Sequence, residues 1–122
     1  MELRQFTVES SGTLLDAARA IAANRNRCVI VVRDGKALGV ISEGDLVRAL
    51  LRGTDIYSPM QSFIHHGIFF LPERDMTRAL DLFRSHGISL IPILNDELRL
   101  VDVITLQQML EQVTLSEPGS MA

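Results

Sequence analysis

The chain has 122 residues, 47% of them hydrophobic and 22% charged, with a formal net charge of −3. That size suits one compact domain or two small lobes sharing a core. The charge gives no long-range attraction for nucleic acid or an anionic membrane, although a local cluster of arginines could still hold a small anion. A single cysteine, Cys28, excludes an intrachain disulfide, and no stretch approaches the ~20 continuous apolar residues of a membrane span. The start, MELRQFTVESSG, lacks the apolar region of a signal peptide. The expected location is the cytoplasm.

In chain order, a short apolar stretch, Phe6–Val8, reads as a strand. Leu14, Ala17, Ala18 and Ile21 then fall at i, i+3, i+4 and i+7, the apolar face of a helix. CVIVV, 28–32, reads as a buried strand, and Asp34-Gly35 as a hairpin turn into a partner strand, 37–42. A second helix is expected from Glu43. The segment 53–66 carries Gly53 and Pro59 and reads as a loop or a single helical turn, with Tyr57 and Met60 tucked under it as anchors.

The same order then returns. GIFFLP, 67–72, reads as a strand, and Met76, Ala79, Leu80 and Phe83 as a helix face. LIPIL, 90–94, and 99–104 read as a hairpin, with a final helix from Leu106. Ala17 falls on Ala79 at an offset of 62, and Ser42 on Thr105 at an offset of 63. The one-residue slip is expected in the hairpin turn. The chain is therefore an α+β (α/β) protein of two β-α-β-β-α repeats. Each is too small to cover its own sheet, so the two pack face to face with pseudo-two-fold symmetry. The expected division is 1–55 for the first repeat, 56–66 for the linker, 67–115 for the second repeat, and 116–122 for a flexible tail.

GVISEGDL in the first repeat, with HGISLIPILND and LVDVIT in the second, resembles a tandem pair of cystathionine-β-synthase (CBS) domains, often called a Bateman module. The family pattern is glycine, apolar residues, Ser/Thr, two variable residues and Asp. Gly39, Val40, Ile41, Ser42 and Asp45 match it, whereas the second repeat has Asp102 for the glycine and Gln108 for the aspartate. The resemblance covers roughly residues 4–115. It implies a non-enzymatic regulatory module that binds AMP, ADP, ATP or S-adenosylmethionine in a cleft between the repeats. It also implies a homodimer and an attached or partner effector, of which a sugar-nucleotidyltransferase is one plausible kind.

The residues allow a chemistry for such a site. A strand-to-helix junction at Ser42 offers unpaired N–H donors and a partial positive charge to a phosphate, with the hydroxyl as a further donor. Asp45 could accept from both hydroxyls of a ribose, with Gly44 leaving room for the approach. Val29, Val40 and Ile41 are candidate walls for a purine. Arg27 is the cation carried forward for the phosphate, among Arg4, Arg25, Arg48 and Arg78. Equally, Ser42-x-x-Asp45 is a helix capping box, and Thr105-x-x-Gln108 fits the same motif. Capping tolerates the Asp-to-Gln change, whereas a diol loses an acceptor to the Gln108 NH₂. Both repeats are thus expected to keep a cap, and only the first a competent nucleotide site.

Adjacent His65 and His66 should point to opposite faces of an extended segment and chelate a metal poorly. Cys28 suits a small apolar filler better than a nucleophile. No Gly-rich phosphate loop or acid–base carboxylate pair is present, so an enzyme is not expected. Two rivals stand beside the nucleotide sensor. One is a structural homodimerisation module without a nucleotide, and the other is a small metal-dependent hydrolase using the histidines.

Overall fold

The computed structural model describes residues 2–116, with side chains to residue 112. A 3-10 turn, Leu3–Phe6, leads into β1, Thr7–Glu9, then α1, Leu14–Asn24, β2, Cys28–Arg33, β3, Lys36–Ser42, and α2, Glu43–Leu51. The second repeat holds α3, Met76–Ser85, β4, Leu90–Leu94, β5, Leu100–Thr105, and α4, Leu106–Ser116. The expected tail lies outside the described residues except for Ser116, which ends α4.

Each helix begins where a side chain satisfies its first N–H groups. Thr13–Asp16 and Ser42–Asp45 form reciprocal capping boxes. Asp75 accepts from the Arg78 N–H, and Thr105 and Gln108 exchange two bonds of 3.0 Å. The Asp34-Gly35 turn forms with both residues at positive φ, 52° and 79°, as an Asp-Gly hairpin requires.

In the first sheet β1 runs parallel to β2, and β2 antiparallel to β3; the second sheet is the β4–β5 hairpin. The pairings Cys28↔Ser42 and Ile30↔Val40 correspond to Leu90↔Thr105 and Pro92↔Val103. The irregularity at Val31/Val32 returns at Ile93/Leu94. The hairpin tips stitch the repeats together across the pseudo-two-fold axis. The Ala37 N–H donates to the Leu98 carbonyl at 2.9 Å, and its symmetry mate, the Leu100 N–H, to the Gly35 carbonyl at 3.3 Å. Each repeat packs its helices on its own sheet, around Leu14, Val29 and Ile41 or around Leu71, Ile91 and Ile104. Phe6, Ile30, Val32, Leu90 and Val103 fill the space between the two sheets.

Two expectations are corrected. The strand at 67–72 shrinks to a single parallel bridge, Leu71↔Ile93. The Leu71 N–H donates to the Pro92 carbonyl, so the nitrogen of Pro92 faces the same segment. In a parallel ladder it would bond the Phe69 carbonyl, but proline has no N–H. The ladder therefore stops, and residues 66–70 make no backbone hydrogen bond among the described residues. In the linker, Met60 is fully buried as expected, but Tyr57 is 70% exposed and anchors nothing. The anchoring comes from main chain instead. Ser58 and Ile56 carbonyls accept from the Leu14 and Leu15 N–H groups at the start of α1.

Candidate functional site

β3 ends at Ser42, and the chain turns there into α2, as the capping box dictates. A cavity of about 420 Å³ opens beside this junction, between the repeats. The first repeat lines it with Arg27, Cys28, Val40, Ser42, Gly44 and Arg48, and with Glu43. The second contributes Ile68, Phe69, Ser89, Leu90 and Pro92. Of the residues singled out from sequence, Ser42, Val40 and Arg27 line this cavity, and Arg48 joins them. Val29 and Ile41 are fully buried in the first repeat's own core and do not reach it. Arg4, Arg25 and Arg78 lie outside its lining.

Asp45 is 8% exposed, and all of its acceptor positions are engaged. Its Oδ2 accepts from the Ser42 N–H at 2.8 Å and the Ser42 hydroxyl at 2.9 Å. Its Oδ1 meets Arg48 Nη2 at 2.8 Å and His65 Nε2 at 2.7 Å. Burial pushes the carboxyl pKa up, but the bonds from the Ser42 N–H, His65, the Ser42 hydroxyl and Arg48 outweigh it and hold the group below its ordinary value. The Ser42 hydroxyl spends its proton on Asp45, so it is not a free donor in this arrangement. Asp45, expected in the cleft, does not line the first cavity; with His65, Arg48, Arg52, Ser62 and Phe63 it lines a second one of about 240 Å³. Arg48 belongs to both cavities. Its guanidinium covers Gly44, with Nη1 3.2 Å from where a Cβ would stand. Gly44 thus makes room for Arg48 first, and for anything else only once Arg48 moves.

The cavity's floor joins the repeats. Ser89 Oγ donates to the Asn26 carbonyl, and Cys28 Sγ lies 4.0 Å from Ser89 Oγ. Burial raises the Cys28 thiol pKa, against smaller opposing effects of Ser89 and Arg27, and this keeps it a neutral wall. The two histidines diverge as expected: His66 Nδ1 faces the Leu38 carbonyl at 3.0 Å, away from Asp45. Among the described residues, no group of three His, Cys, Asp or Glu side chains could hold a metal ion. No helix among them is long and apolar enough to cross a membrane.

Sequence reasoning missed the second repeat's half of the cavity, above all Phe69, and missed His65 as a partner of Asp45. The repeat offset carried the first signal, because Phe69 is the counterpart of Phe6. Nothing local links His65 to Asp45, 20 residues away.

The fold and cleft define a tandem pair of small α+β repeats. The CBS domain profile matches twice, over residues 3–52 and 63–114, so the chain belongs to the CBS domain family. An uncharacterised protein of Helicobacter pylori is 30% identical over 107 residues, 85% of this chain, and the chain spans only 32% of that relative's length. Among solved structures, a CBS domain protein of Pyrobaculum aerophilum complexed with AMP superposes with a TM-score of 0.73 at 20% identity, over 90% of this chain and 91% of that one. The cytosolic domain of the Mg²⁺ channel MgtE in complex with ATP superposes with a TM-score of 0.69 at 18% identity, over 87% of this chain and 44% of that one.

Proposed function

We propose that this chain is a non-enzymatic regulatory module that binds an adenine nucleotide in the 420 Å³ cavity between its repeats and signals to an attached or partner effector. The observation that carries the reading is the composition of that cavity. A helix N-terminus and two arginines stand on one side, apolar side chains from both repeats on the other. The Gly44 N–H has no partner within the helix, and Arg27 and Arg48 supply the charge a phosphate needs. Val40, Ile68 and Pro92 form an apolar wall for a base. Asp45 stands behind Arg48, outside this cavity's lining, and meets the ribose only once Arg48 leaves its Oδ1 for the phosphate, while Ser42 holds Asp45 through Oδ2. Val29 and Ile41 support this wall from behind. The AMP and ATP complexes of structurally similar proteins favour adenosine ligands over other anions.

One site per chain is proposed. At the position equivalent to Arg48 the second repeat has Glu111, and at that of Asp45 it has Gln108. A homodimer is part of the same proposal, since Val47, Leu50 and Leu51 expose an apolar strip on α2.

The test is thermal unfolding with AMP, ADP, ATP and S-adenosylmethionine, on wild type and on Arg48→Ala. A ligand at 100 times its Kd adds about 2.7 kcal/mol, a shift of several degrees. A shift for one nucleotide that Arg48→Ala loses supports the sensor. No shift for any of the four leaves the structural homodimer as the better reading.

A further inference from the structure

The pseudo-two-fold axis pairs the cavity with a filled socket. Because Val8↔Val31 corresponds to Leu71↔Ile93, Phe6 and Phe69 are equivalent residues. Phe6 is 3% exposed and packs between the sheets among Ile30, Val32, Leu90 and Val103. The counterparts of those four residues are Pro92, Leu94, Cys28 and Val40, by the strand registers above. Three of them, Pro92, Cys28 and Val40, line the cavity. The cavity is thus the sister of the Phe6 socket. Its walls are also slimmer, with Pro92 for Ile30 and Cys28 for Leu90. Yet Phe69 does not fill it. Phe69 is 41% exposed, and its ring is stacked on His86 with centroids 4.0 Å apart and planes 26° apart.

The backbone permits both positions. Residues 66–70 lack ladder bonds because of Pro92, and beside Gly67 the space is open. The outer stack already covers part of the ring and adds an aromatic contact, while the socket would cover the rest, so the two positions compete.

From this we infer that Phe69 is an internal competitor for the base of the nucleotide: its ring exchanges between the outer stack on His86 and the socket that the base enters. This inference rests on the nucleotide reading above and adds an autoinhibitory element to it. The apparent affinity is the intrinsic affinity reduced by the fraction of chains with the ring outside. Removing the ring removes the reduction, and removing His86 deepens it. A simple aromatic wall for the base behaves differently, because losing either partner weakens binding.

The experiment is titration calorimetry with AMP, ADP and ATP on wild type, Phe69→Ala and His86→Ala. Because the ring lies outside in the structure, Phe69→Ala is expected to bind the preferred nucleotide up to about twofold tighter, and His86→Ala more weakly than wild type. A second measurement needs no nucleotide: fluorine NMR of the chain labelled with 4-fluorophenylalanine, with the Phe69 signal assigned by its loss in Phe69→Leu. That signal is expected to move toward a buried position in His86→Ala. If Phe69→Ala binds no tighter than wild type, the competitor is overturned while the nucleotide site stands. If no variant binds any of the three nucleotides, the site itself fails and the competitor with it. A fluorine signal unmoved by His86→Ala overturns the second resting place of the ring, whatever the titrations show.

Discussion

His65 Nε2 lies 2.7 Å from Asp45 Oδ1, so the linker between the repeats holds the one carboxylate that the repeated motif keeps only in its first copy. Asp45 is the cap of α2, the partner of Arg48 and the anchor of the linker at once. Substituting Asn preserves its shape and much of the cap but removes its charge. Asp45→Asn is expected to cost about 1.5–3 kcal/mol near neutral pH, as for hydrogen bonds to a charged group. The folded carboxyl pKa lies below its ordinary value. Its contribution is therefore complete above the ordinary carboxylate range and is lost as pH falls through the folded value. Urea titrations of the two proteins should diverge at neutral pH and converge in acid; a difference that stays constant with pH would refute the charge-based account.

Gly39 is required by a close approach rather than by a turn. The His65 N–H and carbonyl bond both main-chain groups of Val40, at 2.9 and 3.0 Å, and a Cβ on Gly39 would stand 2.1 Å from the His65 oxygen. Gly39→Ala should push the linker off β3 and destabilise by about 2–4 kcal/mol. Its counterpart Asp102 instead bonds Arg74 at 2.9 Å in a half-exposed pair, so Asp102→Ala should cost under about 1 kcal/mol. Equilibrium unfolding of the two variants tests the contrast.

Arg25 ends α1 in the left-handed conformation, with φ 59° and ψ 22°. Glycine adopts that conformation without the Cβ penalty. Arg25→Gly should therefore stabilise the chain by a few tenths to about 1 kcal/mol. Because Arg25 is exposed and outside the cavity lining, nucleotide affinity should not change. A rise in melting temperature with unaltered titrations is the expected result.

Leu51 is 81% exposed beside Val47 and Leu50 on α2. The double variant Val47→Glu, Leu51→Glu should convert the proposed homodimer to monomer in light scattering, while the circular dichroism of the fold persists. If the mass is unchanged, α2 is not the dimer face.

Much of the fold could be read locally. Capping boxes, the Asp34-Gly35 turn and the spacing of apolar residues marked α1, α2, β2 and β3, and their return marked the second repeat. The first helical residue of α2 and the whole of β4 fell where the pattern put them. The strand at 67–72 failed for a reason two segments distant: the donor it needed was replaced by Pro92. The candidate site was legible only on the side that carries the motif. Val40, Ser42 and Arg27 reach the cavity, but Val29 and Ile41 point into the helical core, on the opposite face of the sheet. Period-two alternation separates the two faces without saying which one meets the other repeat.

By itself the sequence determined what depends on neighbours a few residues apart: where helices start, which turn closes each hairpin, and that one unit occurs twice. Only the tertiary structure decided what depends on contacts across the chain. His65 and Arg48 hold Asp45. Of two equivalent phenylalanines, Phe6 is buried between the sheets and Phe69 lies out on His86. Local rules are set by backbone bonds within a turn or two, which both repeats share. The surroundings of each repeat differ: the linker crosses β3 at His65, and Phe6 fills one socket while Phe69 leaves the other open.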